Sequence, residues 1–229
     1  MKQKATGEKH VRFAVLATDV ALMSIRNGVL VVRVMRVHRP PHFPNSVGLP
    51  GGLIDPKETA EEAGYRIIRT KGMISRTVYT EQLYTFSEVD RDPRGRVVAV
   101  AYLALVPWGE LTEEEQADSD ETWWTPVRDA KKLAYDHDHI LEVALLRLRS
   151  RVHYTTIARN LMPSEFTLTE LESAYESLLK TELDKRNFRK KLLKLKVVIP
   201  CGRKRTGGAY RPAELYTFRG TRVEEIELL

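Results

Sequence analysis

Between Thr181 and Arg211 the chain sets eleven basic residues (Lys185, Arg186, Arg189, Lys190, Lys191, Lys194, Lys196, Arg203, Lys204, Arg205 and Arg211) against only Glu182 and Asp184. That segment carries +9 while the whole chain carries +6, so the remainder is net acidic at −3. Such lopsided charge suits a polyanion-binding end joined to something else. The side chains allow specific chemistry. Arg186 or Arg189 can fork onto guanine, Asn187 can pair with adenine, and Lys190 and Lys194 can neutralise phosphate. Arg203, Lys204, Arg205 and Arg211 can run along a phosphate backbone or enter a minor groove. Tyr210 is the one aromatic among them suited to stack on bases, so single-stranded RNA is the weaker reading.

A second set of anion candidates lies far upstream: Arg91, Arg94 and Arg96, around Asp92-Pro93-Arg94-Gly95. That tetrapeptide fits a type I turn position by position. His38 with His42, and the run Asp136-His137-Asp138-His139, have the residue types of metal ligands. The second is better read as a helix cap, Asp136, with acids in the first turn. No metal, cofactor or catalytic residue is assigned from either.

The elements that must position these groups are legible in outline. Val11 to Ile25 and Val29 to Val37 read as strands, and Asn27-Gly28 between them is a hairpin signal. His38 to Gly52, with four prolines and three glycines, reads as a loop. Lys57 to Lys71 reads as a helix with Ala60, Ala63, Gly64, Ile67 and Ile68 on one stripe. Strands follow near Tyr79 to Val89 and Arg96 to Val106, a short one over Thr122 to Val127, and a helix from Asp136 through Arg151.

The remainder differs in kind. Thr167 and Glu170 form a capping box, opening a helix to about Leu179 with Leu168, Leu171, Tyr175 and Leu178 inward. Asp184 caps the next helix, which buries Phe188, Leu192 and Leu195. Val197 to Pro200 is strand-like, Cys201 to Gly208 a basic glycine loop, and Ala213 to Phe218 strand-like again. Helix, turn, helix and basic-tipped hairpin is a winged helix-turn-helix layout. The expected fold class is α+β, a mixed sheet with helices over residues 1–152 and a winged helix over residues 153–229.

Composition sets the bounds. Hydrophobic residues are 42% and charged ones 30%, which suits a folded chain rather than a disordered one. The lone Cys201 rules out an internal disulfide and a Cys-rich zinc site. The longest uncharged apolar run, Val97 to Val106, is about half of what a spanning helix needs, so no membrane partner is expected and the cytoplasm is.

Leu49-Pro50-Gly51-Gly52, Glu58 and Arg66 stand at the spacings that open a Nudix box, and the upstream hairpin and following helix keep Nudix order. In that family three carboxylates at i, i+3 and i+4 share one helix face and hold Mg²⁺ on a pyrophosphate. Here those positions are Ile67, Thr70 and Lys71. Metal-dependent hydrolysis is therefore expected to be absent or very weak, Glu58 and Arg66 read as a structural pair, and Lys71 could bind a pyrophosphate directly. A lysine favoured by the helix dipole is the plainer explanation of Lys71.

With the C-terminal half included, the chain resembles the Nudix-related transcriptional regulators of the NrtR family. The shared segments are Asp90 to Arg96 leading to Tyr102, Ala134-Tyr135-Asp136-His137, Phe188-Arg189-Lys190, and Lys204-Arg205 through Arg211 to Tyr216. The resemblance implies a homodimeric prokaryotic repressor on double-stranded DNA with a palindromic operator, in the cytoplasm at the nucleoid. It also implies that the Nudix part senses a nucleotide or sugar effector, for which Arg91, Arg94, Arg96, Lys71, Gly51 and Gly52 are the candidate contacts. ADP-ribose, with control of NAD metabolism, is the best-known case. The alternative it leaves is a working ADP-ribose pyrophosphatase. Val47 departs from the Trp that many Nudix proteins carry there.

Overall fold

The computed structural model describes residues 13–206 and 212–226. Arg211 and Tyr210 lie outside them, as do the first residues of the expected first strand. The chain opens as β1 (Val15–Arg26), β2 (Val29–Arg39), β3 (Phe43–Gly48) and β4 (Gly51–Leu53). Then follow α1 (Ala60–Thr70), β5 (Tyr79–Phe86), β6 (Val97–Leu105), the short α2 (Glu113–Gln116), β7 (Thr122–Pro126) and α3 (His137–Tyr154). The last part is α4 (Leu168–Leu179), α5 (Lys185–Lys194), β8 (Val198–Arg205) and β9 (Ala213–Phe218).

β1 and β2 join as expected, with Arg26 opposite Val29 and both Asn27 (φ 51°) and Gly28 (φ 76°) left-handed, as a type I′ turn requires. The sheet runs β3-β2-β1-β6-β5, with β4 also on β1 and β7 on β2. β1 and β6 are parallel from Val15↔Val97 to Met23↔Leu105, while the other pairs are antiparallel. The proline-rich segment is not all loop, because β3 and β4 lie inside it. Pro44 is tolerated because β3 is the sheet's edge and its missing N–H breaks no ladder.

β1 alternates, with Val20 and Leu22 in the core on the α1 side and Ala21 and Met23 in that on the α3 side. α1 starts at a capping box, Thr59 with Glu62, that the sequence carried and the expected start at Lys57 overlooked. Its buried stripe is Ala63, Gly64, Ile67 and Ile68. The core on the α3 side continues through Leu148 and Val152 into Leu171, Tyr175, Phe188 and Phe218. The winged helix thus shares a core with the sheet, and Leu30 N donates to Ser177 Oγ at 3.0 Å across the junction.

In the winged helix both expected caps form. Thr167 accepts from Glu170 N, and Asp184 accepts from Asn187 N. Phe166 bridges to Tyr216, so the wing hairpin gains a third strand position. Two expectations fail. Leu195 is 41% exposed, because α5 ends at Lys194 and Val197 turns in to fill the core instead. Residues Cys201 to Arg205 are strand, not loop, and Arg203, Lys204 and Arg205 project from β8.

Candidate effector cavity and nucleic-acid interface

A cavity of about 750 Å³ opens where β1, β2 and β4 meet the end of α1, the β5–β6 turn and the start of α3. Three of its side chains, Arg91, Asp19 and His137, join Asp136 just outside it in one largely buried ionic cluster. Arg91 grips Asp136 with two bonds, Nε to Oδ2 at 2.8 Å and Nη2 to Oδ1 at 2.6 Å, and reaches Asp19 Oδ2 at 3.1 Å. His137 completes it: Leu49 N–H donates to Nδ1 at 2.9 Å, which leaves the ring proton on Nε2, 3.5 Å from Asp19 Oδ1. Burial alone would push the Asp19 carboxyl up. His137 and Arg91 outweigh it and hold the carboxyl below its ordinary value. The expected capping role of Asp136 is overturned, since its side chain makes no cap bond and is taken by Arg91.

Arg91 is therefore a cavity wall already matched by two carboxylates, not a free anion receptor. Arg94 is also matched. It forks onto Asp92 (Nε to Oδ1 2.9 Å, Nη2 to Oδ2 2.6 Å) and stacks 5.2 Å from the Tyr135 ring. Tyr135 packs on Phe43 at 4.4 Å and holds a left-handed backbone, φ 59°, costly for an aromatic residue and common where a site is held in shape. Sequence reasoning noticed Tyr135 only as part of a shared segment. Arg96 lies off the cavity, where it binds the carbonyls of Ser87 and Glu88 and ties down the turn.

Gly51 and Gly52 do line the cavity. A Cβ on Gly51 would sit 2.1 Å from Asp19 Oδ1, so Gly51→Ala is expected to break the cluster and lower thermal stability measurably in a melting experiment. Lys71, just past α1, sends Nζ to the Gly51 carbonyl. Glu58 and Arg66 pair as expected, with Arg66 Nη2 also holding the Leu53 carbonyl at 2.9 Å. Arg66, together with the Asp55 N–H, draws the Glu58 carboxyl down to about 2. Arg39, unremarked in the sequence, also borders the cavity.

On the winged helix, Arg186, Lys190 and Lys194 recur every fourth residue of α5 and are exposed, as is Lys204 on β8. Asn187 is exposed, but its amide donates to Asp184 Oδ2 at 2.7 Å. Arg189 turns back onto α4, binding Glu172 through two bonds, and is not free for a base edge. Arg203 and Arg205 pair with Glu165 and Glu170. Those pairs are exposed and weak, so their arginines can be exchanged onto phosphate.

Residues 14–144 match the NUDIX domain family, and residues 158–218 match the NrtR DNA-binding winged helix domain. The ADPR responsive transcriptional repressor NtrR of Acinetobacter baylyi is 32% identical over 89% of this chain and 81% of its own length. The chain belongs to the NrtR family of Nudix proteins. The crystal structure of Shewanella oneidensis NrtR complexed with a 27mer DNA superposes with a TM-score of 0.78 at 31% identity, covering 89% of this chain and 93% of that one. The NUDIX domain of the same Shewanella protein, complexed with ADP ribose, gives a TM-score of 0.52 at 31% identity over 62% of this chain and 92% of that one. An ADP-ribose pyrophosphatase of Methanocaldococcus jannaschii is 33% identical over 51% of this chain and 64% of its own.

The divalent ion of Nudix hydrolases does not fit this NrtR-family site. Ile67 is fully buried in the core, with Cδ1 under Gly52, and Thr70 spends its hydroxyl on the Arg66 carbonyl. Lys71 brings a positive charge to the third position. Among the described residues, no group of three or more His, Cys, Asp or Glu could hold a metal ion. No helix among them is long and apolar enough to cross a membrane.

Proposed function

We propose that this chain is an effector-responsive transcriptional repressor of prokaryotic genes, acting in the cytoplasm. In this reading it senses ADP-ribose in the Nudix cavity and does not cleave it. One observation carries this: a cavity of nucleotide size whose metal-binding positions hold Ile67, Thr70 and Lys71 lies on the same chain as a basic winged helix. The names of the Acinetobacter and Shewanella relatives supply the effector. Residues 1–152 then form the sensing part and residues 153–229 the DNA-binding part. Two copies set their α5 helices about 34 Å, or a multiple, apart on a palindrome. Arg186, Lys190, Lys194 and Lys204 make the first contacts, with Arg203, Arg205 and Arg211 following along the backbone.

Binding of ADP-ribose releases DNA only if the ligand prefers the arrangement in which the two α5 helices are out of register. The test is selection of bound fragments from genomic DNA, followed by titration of ADP-ribose into the complex. The expected result is loss of binding as ADP-ribose rises. Affinity should also fall by roughly 10³–10⁵ between about 50 and 200 mM salt, if the dimer makes about 6–10 phosphate contacts. A salt-insensitive complex overturns the footprint. The similarity to the archaeal pyrophosphatase favours a second reading, a hydrolase. A turnover assay with Mg²⁺ or Mn²⁺ separates the two, and hydrolysis at ordinary enzymatic rates would falsify the sensor.

A further inference from the structure

We propose that the cavity seats the diphosphate of its ligand directly on Lys71 and Arg39, with no divalent ion between protein and phosphate. The proposal rests on the effector reading above and adds how the anion is held. Of the cavity's cations, Arg91 is matched by Asp19 and Asp136 and Arg94 by Asp92, while Arg36 turns its Nε onto the Asp120 carbonyl at 3.1 Å. Among the described residues neither Lys71 nor Arg39 has a carboxylate partner: Lys71 donates to the Gly51 carbonyl and Arg39 Nη1 to the His38 carbonyl at 2.8 Å.

The plainer account of Lys71, attraction to the negative end of α1, predicts an ammonium resting on that helix's last carbonyls. Its acceptor is on β4 instead. Gly52 leaves the passage open, since a Cβ there would stand 3.2 Å from Nζ. An ammonium has three N–H bonds and a guanidinium five, so both groups keep donors for a ligand. Burial, together with the nearby Arg39 guanidinium, pushes the Lys71 pKa down, and Asp19 only partly restores it. Two neighbouring cations, neither of them bonded to a carboxylate among the described residues, stabilise an anion that settles between them. In a Nudix hydrolase, acidic side chains need Mg²⁺ to meet a diphosphate. Here the protein is itself the cation, and the buried Ile67 beneath Gly52 stands where such a hydrolase has a carboxylate.

Calorimetric titration of the full chain tests this, with ADP-ribose and ADP as separate probes, each in EDTA and in Mg²⁺. The expected result is the same affinity in both media. Lys71→Gln and Arg39→Gln should each weaken binding by roughly 10- to 100-fold, the scale of a lost charge-assisted hydrogen bond. Unchanged melting temperatures would show that the variants remain folded. Binding that requires Mg²⁺, or that Lys71→Gln leaves intact in a folded protein, overturns the proposal. If ADP binds without metal through Lys71 while ADP-ribose does not bind, the anion site stands and the effector reading falls. If neither probe binds the wild-type chain, both fall.

Discussion

Arg91→Met is expected to cost the folded chain about 3–5 kcal/mol, the usual penalty for removing one partner of a buried ion pair. The guanidinium is 3% exposed and its partners Asp19 and Asp136 are 7% and 15% exposed. Methionine fills much of the same space, so the loss comes from two carboxylates stranded in a poorly solvated wall rather than from a void. Urea unfolding measures it. For a chain of this size the matching fall in melting temperature is roughly 6–20 °C. A loss below about 1 kcal/mol would mean that water replaces the guanidinium without penalty. Asp136 stands immediately before α3, and Asp19 is in the middle of β1. The same substitution should therefore loosen the join between the sheet and α3.

The pH dependence of that loss has a definite sign. In the wild-type chain the Asp19 carboxyl is held below its ordinary 3.8, since His137 and Arg91 outweigh burial. A depressed carboxyl contributes stability above the unfolded value, and that contribution is lost as pH falls through the folded one. The wild-type contribution is therefore complete at neutral pH and declines below about 3.8. Without Arg91 the Asp19 carboxyl loses part of what opposes burial, so its pKa rises and protonation relieves it. The stability gap between variant and wild type should shrink as pH is lowered from about 7 to about 4. A gap of constant size would show that the penalty is not one of stranded charge.

The same cluster shows where sequence reading stops. Local signals were legible because their partners are close in the chain. Asn27-Gly28 sets its own turn, Thr167 and Glu170 cap across three residues, and Glu58 finds Arg66 two turns along. Arg91 read as a free anion receptor because its partners lie 72 and 45 residues away, on β1 and at the head of α3. Asp136 looked like a cap for the same reason. Pro44 marked a loop because proline is read as a breaker, and only the finished sheet shows that β3 is an edge. Arg39 carried no signal, since its importance comes from Lys71, which reaches the same cavity from another element. The replaced Nudix acids and the inward stripe that includes Ile67 were readable in the sequence; the direction of Lys71 was not.

The second large effect concerns Arg189, which the charge pattern alone places on DNA. Its guanidinium binds Glu172 Oε1 and, at 2.8 Å, Oε2, and it reaches Thr169 Oγ1 at 3.2 Å, so α5 is tied to α4. Glu172 is 1% exposed and, among the described residues, has no other cation. Arg189→Ala is expected to lower stability by roughly 2–3 kcal/mol, less than for a fully buried pair because water reaches the 42% exposed guanidinium. DNA binding should fall with it, through displacement of α5. Lys190→Glu, by contrast, should abolish DNA binding while leaving stability within about 0.5 kcal/mol, as befits an exposed site. The double variant Arg189→Met with Glu172→Met decides between the two roles. Replacing both members by apolar groups removes the stranded carboxylate, so stability returns to near wild type. If Arg189 acts by positioning α5, DNA affinity returns as well; if it reads a base, the refolded double variant stays inactive on DNA.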